Sequence, residues 1–131
     1  MRKSIPNTIK ALVKKRAAGL CEYCLFPEEE SFLTYHIEHI VSLKHRGGNS
    51  LENLALSCPL CNMAKGTNIS TLVGKNAKLT RLFHPRKDIW ENHFNWDGVL
   101  IIPKSIVGEG TIALLKMNDV DRLIDRQNLL F

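Results

Sequence analysis

A chain of 131 residues with 44% hydrophobic and 24% charged side chains has room for one compact domain with a real core, and not for two of ordinary size. No apolar run approaches the ~20 residues that a membrane span needs. The opening Met1-Arg2-Lys3-Ser4-Ile5-Pro6 is basic without the apolar stretch of a secretion signal, so a cytosolic protein with reduced thiols is expected. Net charge is +5, and the surplus is uneven: residues 1–80 carry 11 Lys and Arg against 6 Asp and Glu, and residues 81–131 carry 7 against 7. A polyanion is expected to dock on the first part, although a surplus of this size also serves solubility.

Ser4 and Pro6 mark a helix start, Ile5, Ile9, Leu12 and Val13 follow at helical spacing, and Gly19 ends the helix. Lys10, Lys14, Lys15 and Arg16 decorate it, equally suited to phosphate contact or to a solvated face. Residues 25–31 are acidic and polar and read as a loop, and 32–40 have the β-branched and aromatic content of a strand. A turn at 46–50 leads to a second strand at 51–56, which delivers Cys58-Pro59-Leu60-Cys61 to a short helix carrying Asn62 and Lys65 and ending near Gly66. After a break at 82–86, a short helix is expected at 87–94, a strand at 99–102 and a helix at 111–117. The final helix, 119–129, has Val120, Leu123 and Ile124 as its apolar positions. A composition shift near residue 80 marks a subdomain edge at most.

The strongest signal is the cysteines. All four fall in two pairs, Cys21-x-x-Cys24 and Cys58-x-x-Cys61, with 33 residues between the pairs. Zinc takes four soft ligands in a tetrahedron, and two such pairs supply them from two distant segments. The alternative, redox dithiols, lacks an accompanying thioredoxin-like βαβ pattern. Four thiolates on one zinc also make a closed, structural site.

Between the pairs lies Tyr35-His36-Ile37-Glu38-His39-Ile40. On a strand, His36 and Glu38 share a face, with His39 next to them. A carboxylate and an amide oxygen suit a hard cation such as Mg²⁺ or Mn²⁺ better than zinc. An imidazole can take a proton from water near neutral pH, and one cation with one base suffices to hydrolyse a phosphodiester.

Glu38-His39-Ile40, Gly47-Gly48, Asn53-Leu54, Cys58-Pro59-Leu60-Cys61-Asn62 and Lys65-Gly66 together resemble the HNH endonucleases, whose core is the ββα-metal finger. The resemblance implies that His39 is the general base and that Glu38 and Asn62 bind the catalytic Mg²⁺ or Mn²⁺. It implies that Asn53 orients the inter-strand loop through hydrogen bonds, and that Cys21, Cys24, Cys58 and Cys61 hold structural zinc. Products with 5′-phosphate and 3′-hydroxyl ends are also implied. Glu38 stands where many members have Asp, one methylene shorter. His36 is open between a metal contact and a structural role. Lys65, Arg46, His45, Lys14, Lys15, Arg16 and Arg86 are the candidates for substrate contact. The downstream Leu82-Phe83-x-Pro85-Arg86, Trp90-Glu91-x-His93-Phe94-x-Trp96 and Gly110-Thr111 are similar to the later part of small stand-alone bacterial HNH proteins, with Glu109 where a basic residue is expected.

The expectation is an α+β fold over 1–131. Residues 1–80 form a zinc-stabilised ββα-metal core with an N-terminal helix, and 81–131 form an extension of helices and a short strand or hairpin packed on it. The expected function is a metal-dependent endonuclease acting on nucleic acid, DNA above all, with no membrane partner. The rival readings are a non-catalytic zinc module that binds nucleic acid or protein, and a zinc-stabilised scaffold.

Overall fold

The computed structural model describes residues 4–129; the basic start Met1-Arg2-Lys3, on which the reading of the leader rests, lies outside the described residues. Helix α1 (Asn7–Arg16) begins after Pro6, whose fixed φ suits a helix start, and the chain turns out of it at Gly19 with φ +73°. Val13 is fully buried and Ile5 and Ile9 pack against the core, whereas Leu12, the fourth residue of the expected stripe, is 49% exposed. The helix lies against β2 (Leu54–Ser57).

Strand β1 (His36–His39) pairs antiparallel with β2, with Glu38 opposite Ala55 and His39 opposite Leu54. Both strands are shorter than the sequence suggested. Residues 31–35 are drawn into a local turn: the Glu28 carboxylate accepts from Tyr35 N at 2.9 Å, and the Tyr35 hydroxyl donates to Phe26 O at 2.8 Å. Leu51–Asn53 forms a single 3₁₀ turn, because the Asn53 side chain is engaged in the preceding loop. Helix α2 (Pro59–Lys65) follows, with the Cys58 sulfur accepting from Cys61 N and Pro59 in the first turn. The order β1–β2–α2 is the ββα unit expected.

An unanticipated hairpin, β3 (Ser70–Val73) with β4 (Lys78–Arg81), comes next. Only Trp90–His93 is helical (α3) in the expected helix 87–94. Phe94 opens β5 (Phe94–Asp97), which pairs with β6 (Leu100–Pro103). Helix α4 (Ile106–Leu114) starts five residues earlier than expected, capped by the Ser105 hydroxyl on Gly108 N at 3.0 Å. Its glycines argue against a helix by propensity. They are present for contact: a Cβ on Gly108 would lie 2.1 Å from His93 O, and one on Gly110 would lie 2.7 Å from a Val73 methyl. The final helix α5 (Val120–Leu129) keeps one expected apolar position, Leu123, half-buried and turns the other two outward. Val120 and Ile124 are 70% and 52% exposed, while Arg122 and Arg126 are buried.

One apolar cluster contains residues from both parts of the chain, from Val13, Tyr23 and Leu56 to Phe94, Ile101 and Leu115. Rings carry it across the junction: Tyr23 meets Phe83 edge-on at 6.4 Å, and Phe83 meets Phe94 at 5.2 Å. The Trp90 indole N–H donates to Tyr23 O at 2.8 Å, pinning α3 to the first cysteine pair. No helix among the described residues is long and apolar enough to cross a membrane. Gly108→Ala should cost about 1–3 kcal/mol by overpacking against a backbone carbonyl. Gly48→Ala, where a Cβ meets nothing within 4 Å, should stay within about 0.5 kcal/mol; urea unfolding of the two variants checks the contrast.

Candidate functional site

The four cysteine sulfurs converge. Cys21, Cys24, Cys58 and Cys61 are buried, and their sulfurs all lie within 4.8 Å of one another, with Cys24 Sγ and Cys58 Sγ 3.8 Å apart. A zinc ion with bonds of about 2.3 Å to four sulfurs makes a tetrahedron whose edges are about 3.8 Å, so the donor set fits that ion. Each pair is a tight turn in which the second backbone N–H points at the first sulfur: Cys24 N to Cys21 Sγ at 3.5 Å, and Cys61 N to Cys58 Sγ at 3.3 Å. Among the described residues this is the one group of three or more His, Cys, Asp or Glu side chains placed to hold an ion.

The cluster fixes the first pair against the start of α2, and Tyr23, inside the first pair, reaches β1. The Tyr23 hydroxyl donates to the Glu38 carboxylate in a short hydrogen bond. Glu38 is 6% exposed, and its other oxygen lies 3.9 Å from Lys65 Nζ. Burial pushes the Glu38 carboxyl up from its ordinary range, against the opposing pull of Lys65 and Tyr23. Lys65, expected to reach substrate phosphate, is 2% exposed and turned inward, donating to Ile40 O at 2.8 Å. That carbonyl and Glu38 offer a buried ammonium two acceptors, which explains the change.

His39 is half-buried at the end of β1, and its Nε2 lies 2.6 Å from Asn49 Oδ1. An amide oxygen only accepts, so Nε2 donates in this contact, and in the neutral ring the lone pair is on Nδ1. The loop that brings Asn49 there is closed by Asn53. Asn53 Oδ1 accepts from Val41 N at 2.9 Å, and Nδ2 donates to Val41 O at 2.9 Å and Gly48 O at 2.8 Å. Gly47 lets this loop close, since a Cβ there would lie 1.7 Å from Val41 O.

Asn62 sits half-buried on α2, which packs on β1, one turn before Lys65; its amide makes no side-chain hydrogen bond among the described residues. His36 is exposed at the start of β1 and lines, with His39, Lys10 and Lys14, a cleft of about 500 Å³ beside α1. Lys15, His45 and Arg46 are exposed on α1 and in the loop. Arg16 and Arg86, also expected at the substrate, have partners within the chain. Arg16 donates to Leu51 O at 2.9 Å and Leu54 O at 2.6 Å, which clamps α1 to β2. Arg86 pairs with Glu22, and burial, with Arg16 nearby, lowers its pKa to about 10. Glu22 also accepts from Leu56 N at 2.8 Å. Tyr23 meets Glu38 and Asn49 meets His39 without either having been singled out, and Lys10 lines the His39 cleft, which neither Glu38 nor Asn62 lines. Nothing local marks the first two, and Lys10 was visible only as one cation of a basic face.

Residues 21–68 match the model of the family described as HNH endonuclease. This segment is an HNH endonuclease domain. It spans the four-cysteine cluster, the β1–β2 hairpin and α2, and a domain of this kind supports nuclease-type chemistry in general. Over 119 residues, 88% of the chain, the protein is 27% identical to the Septu protein PtuB of Bacillus thuringiensis. The chain spans 43% of that curated relative, less than half its length. No solved structure matches the chain. The HNH domain should bind one zinc per chain, measured by elemental analysis, and Cys58→Ser should lose the metal together with the cooperative thermal transition.

Proposed function

We propose that this chain is a metal-dependent endonuclease that hydrolyses phosphodiester bonds of nucleic acid, DNA above all, with His39 as the general base. The observation that carries the reading is the His39–Asn49 hydrogen bond, which occupies Nε2 and leaves Nδ1 as the nitrogen that would accept a proton, on a residue that lines a cleft with Lys10 and Lys14. In this reading the two ammonium groups draw the phosphate backbone toward the imidazole, and Nδ1 takes the proton of the attacking water. Asn49 holds the ring orientation and stabilises the imidazolium, and Asn53 holds the loop from which Asn49 projects. Lys14, Lys15, His45 and Arg46 extend the cationic surface to flanking phosphates, with His36 at the cleft wall.

Glu38 and Asn62 are the residues that would hold a divalent cation such as Mg²⁺ or Mn²⁺. A carboxylate and an amide that makes no side-chain hydrogen bond among the described residues are oxygen donors of the right hardness, with water and phosphate oxygens completing the set. Such an ion supplies charge neutralisation at the scissile phosphate and the departing 3′ oxygen, so the products carry 5′-phosphate and 3′-hydroxyl ends. A cytosolic setting suits a zinc–thiolate frame, because thiols stay reduced there. One observation favours a second reading, a non-catalytic zinc module: the Glu38 carboxylate is already engaged by Tyr23 and Lys65.

A plasmid-nicking assay with Mg²⁺ or Mn²⁺ separates the two readings. His39→Ala should lower the rate by about 10²–10⁴-fold, as for loss of a general base, and Glu38→Ala should raise the cation requirement sharply. Equal activity in the wild type and both variants sinks the nuclease assignment. The raised Glu38 pKa adds a pH test. A proton competes with the cation for this carboxylate, so binding of the cation weakens as pH falls through the raised pKa. The cation concentration for half-maximal nicking should therefore climb on acidification before ordinary carboxylates protonate, a dependence that titrations across pH would reveal.

A further inference from the structure

Helix α5 buries two arginines, Arg122 at 7% exposure and Arg126 at 6%, on a helix whose own apolar residues Val120 and Ile124 face outward. A buried guanidinium is costly unless its charge and its five N–H groups are both met. For Arg126 the partners are neutral: Val99 O at 2.9 Å, Asn118 Oδ1 at 3.3 Å and Met117 O, with the Trp96 ring 5.8 Å away.

Arg122 differs. Its Nη1 donates to Leu115 O at 2.8 Å and Lys116 O at 3.3 Å, carbonyls at the C-terminal end of α4, where a cation is favoured. Its Nη2 lies 3.0 Å from Cys61 Sγ and 3.8 Å from Cys58 Sγ. No carboxylate is paired with it among the described residues. The remaining source of negative charge is the cysteine cluster: four thiolates around one Zn²⁺ carry a formal surplus of two negative charges, in a site the protein buries completely.

We propose that Arg122 is a positioning residue of the zinc centre, a buried counter-cation whose N–H groups bond the Cys61 and Cys58 thiolates and tune how tightly they hold the metal. The guanidinium withdraws charge from the two sulfurs, which makes them poorer targets for electrophiles and offsets repulsion among the four ligands. It also ties α5 and the end of α4 to the first turn of α2, the helix that carries Asn62. The C-terminal extension is thereby part of the metal site, not an addition beside it. Groups of this kind around a metal typically change affinity by about 10–100-fold when removed.

Cobalt substitution tests this on the full-length chain, because the sulfur-to-Co²⁺ charge-transfer band reports the charge on the sulfurs. Uptake of Co²⁺ by the wild type tests the zinc site itself. In Arg122→Gln the band should move to longer wavelength, and Zn²⁺ affinity in a chelator competition should fall about 10–100-fold. Arg122→Lys should recover part of both. Arg126→Gln removes an equally buried cation of the same helix that touches no sulfur, so it should loosen α5 and leave the band in place. An unshifted band in Arg122→Gln, or an equal shift in Arg126→Gln, overturns the proposal. Should Arg122→Gln fail to fold, Arg122→Lys decides: an intermediate shift supports the role and none rejects it.

Discussion

The meeting of four cysteine sulfurs is the contact on which the remaining structure depends. It joins two turns 33 residues apart in sequence, and everything between them, including β1, the Asn53 loop and β2, hangs on that closure. A cross-link across a loop of this length removes about 4 kcal/mol of chain entropy from the unfolded state. That is a large share of the stability of a small domain. The closure also brings Tyr23 to Glu38 and anchors the first turn of α2, the helix that carries Asn62.

Charge is organised in two populations that composition alone does not separate. Arg16, Lys65, Arg86, Arg122 and Arg126 bond carbonyls, carboxylates or sulfurs of the protein itself. They bind α1 to β2, β1 to α2, and the extension to the cysteine cluster. Among the described residues of the first part, exposed cations stand on α1, at 44–46 and on the β3–β4 hairpin at Lys75 and Lys78, and of these Lys10 and Lys14 line the His39 cleft. The basic surplus of residues 1–80 is therefore part internal fastening and part surface, and two members of the surface part, Lys10 and Lys14, stand beside the imidazole.

Around His39 the arrangement is a chain of supports, each resting on an atom further back. Gly47 permits a close approach to Val41, Asn53 bonds both sides of that approach, Asn49 projects from the resulting loop, and its amide sets the imidazole tautomer. Rigidity of this kind keeps the imidazole oriented before a ligand arrives, and orientation of that kind is what the proposed role of His39 would need. Glu38 is held as firmly, at the cost of burying an ionisable group between Tyr23 and Lys65.

The sequence by itself determined the cysteine pairs, the order hairpin then helix, and Asn53 as the residue that closes the loop, because thiolate ligation and loop closure need particular atoms at short fixed spacings. End signals also located α1, and apolar spacing located α5. Only the tertiary structure decided which face of α5 is buried, since Arg122 prefers the interior only where sulfurs and unpaired carbonyls from other elements await it. The β3–β4 hairpin and the early start of α4 escaped reading for the same reason. Gly108 and Gly110 weaken an isolated helix and become favourable only against the His93 carbonyl and the Val73 methyl. Asn49 and Tyr23 gained their roles likewise, from partners 10 and 15 residues away that no local pattern connects. Short-range chemistry is written along the chain, whereas the fate of a buried charge depends on acceptors that other segments bring to it.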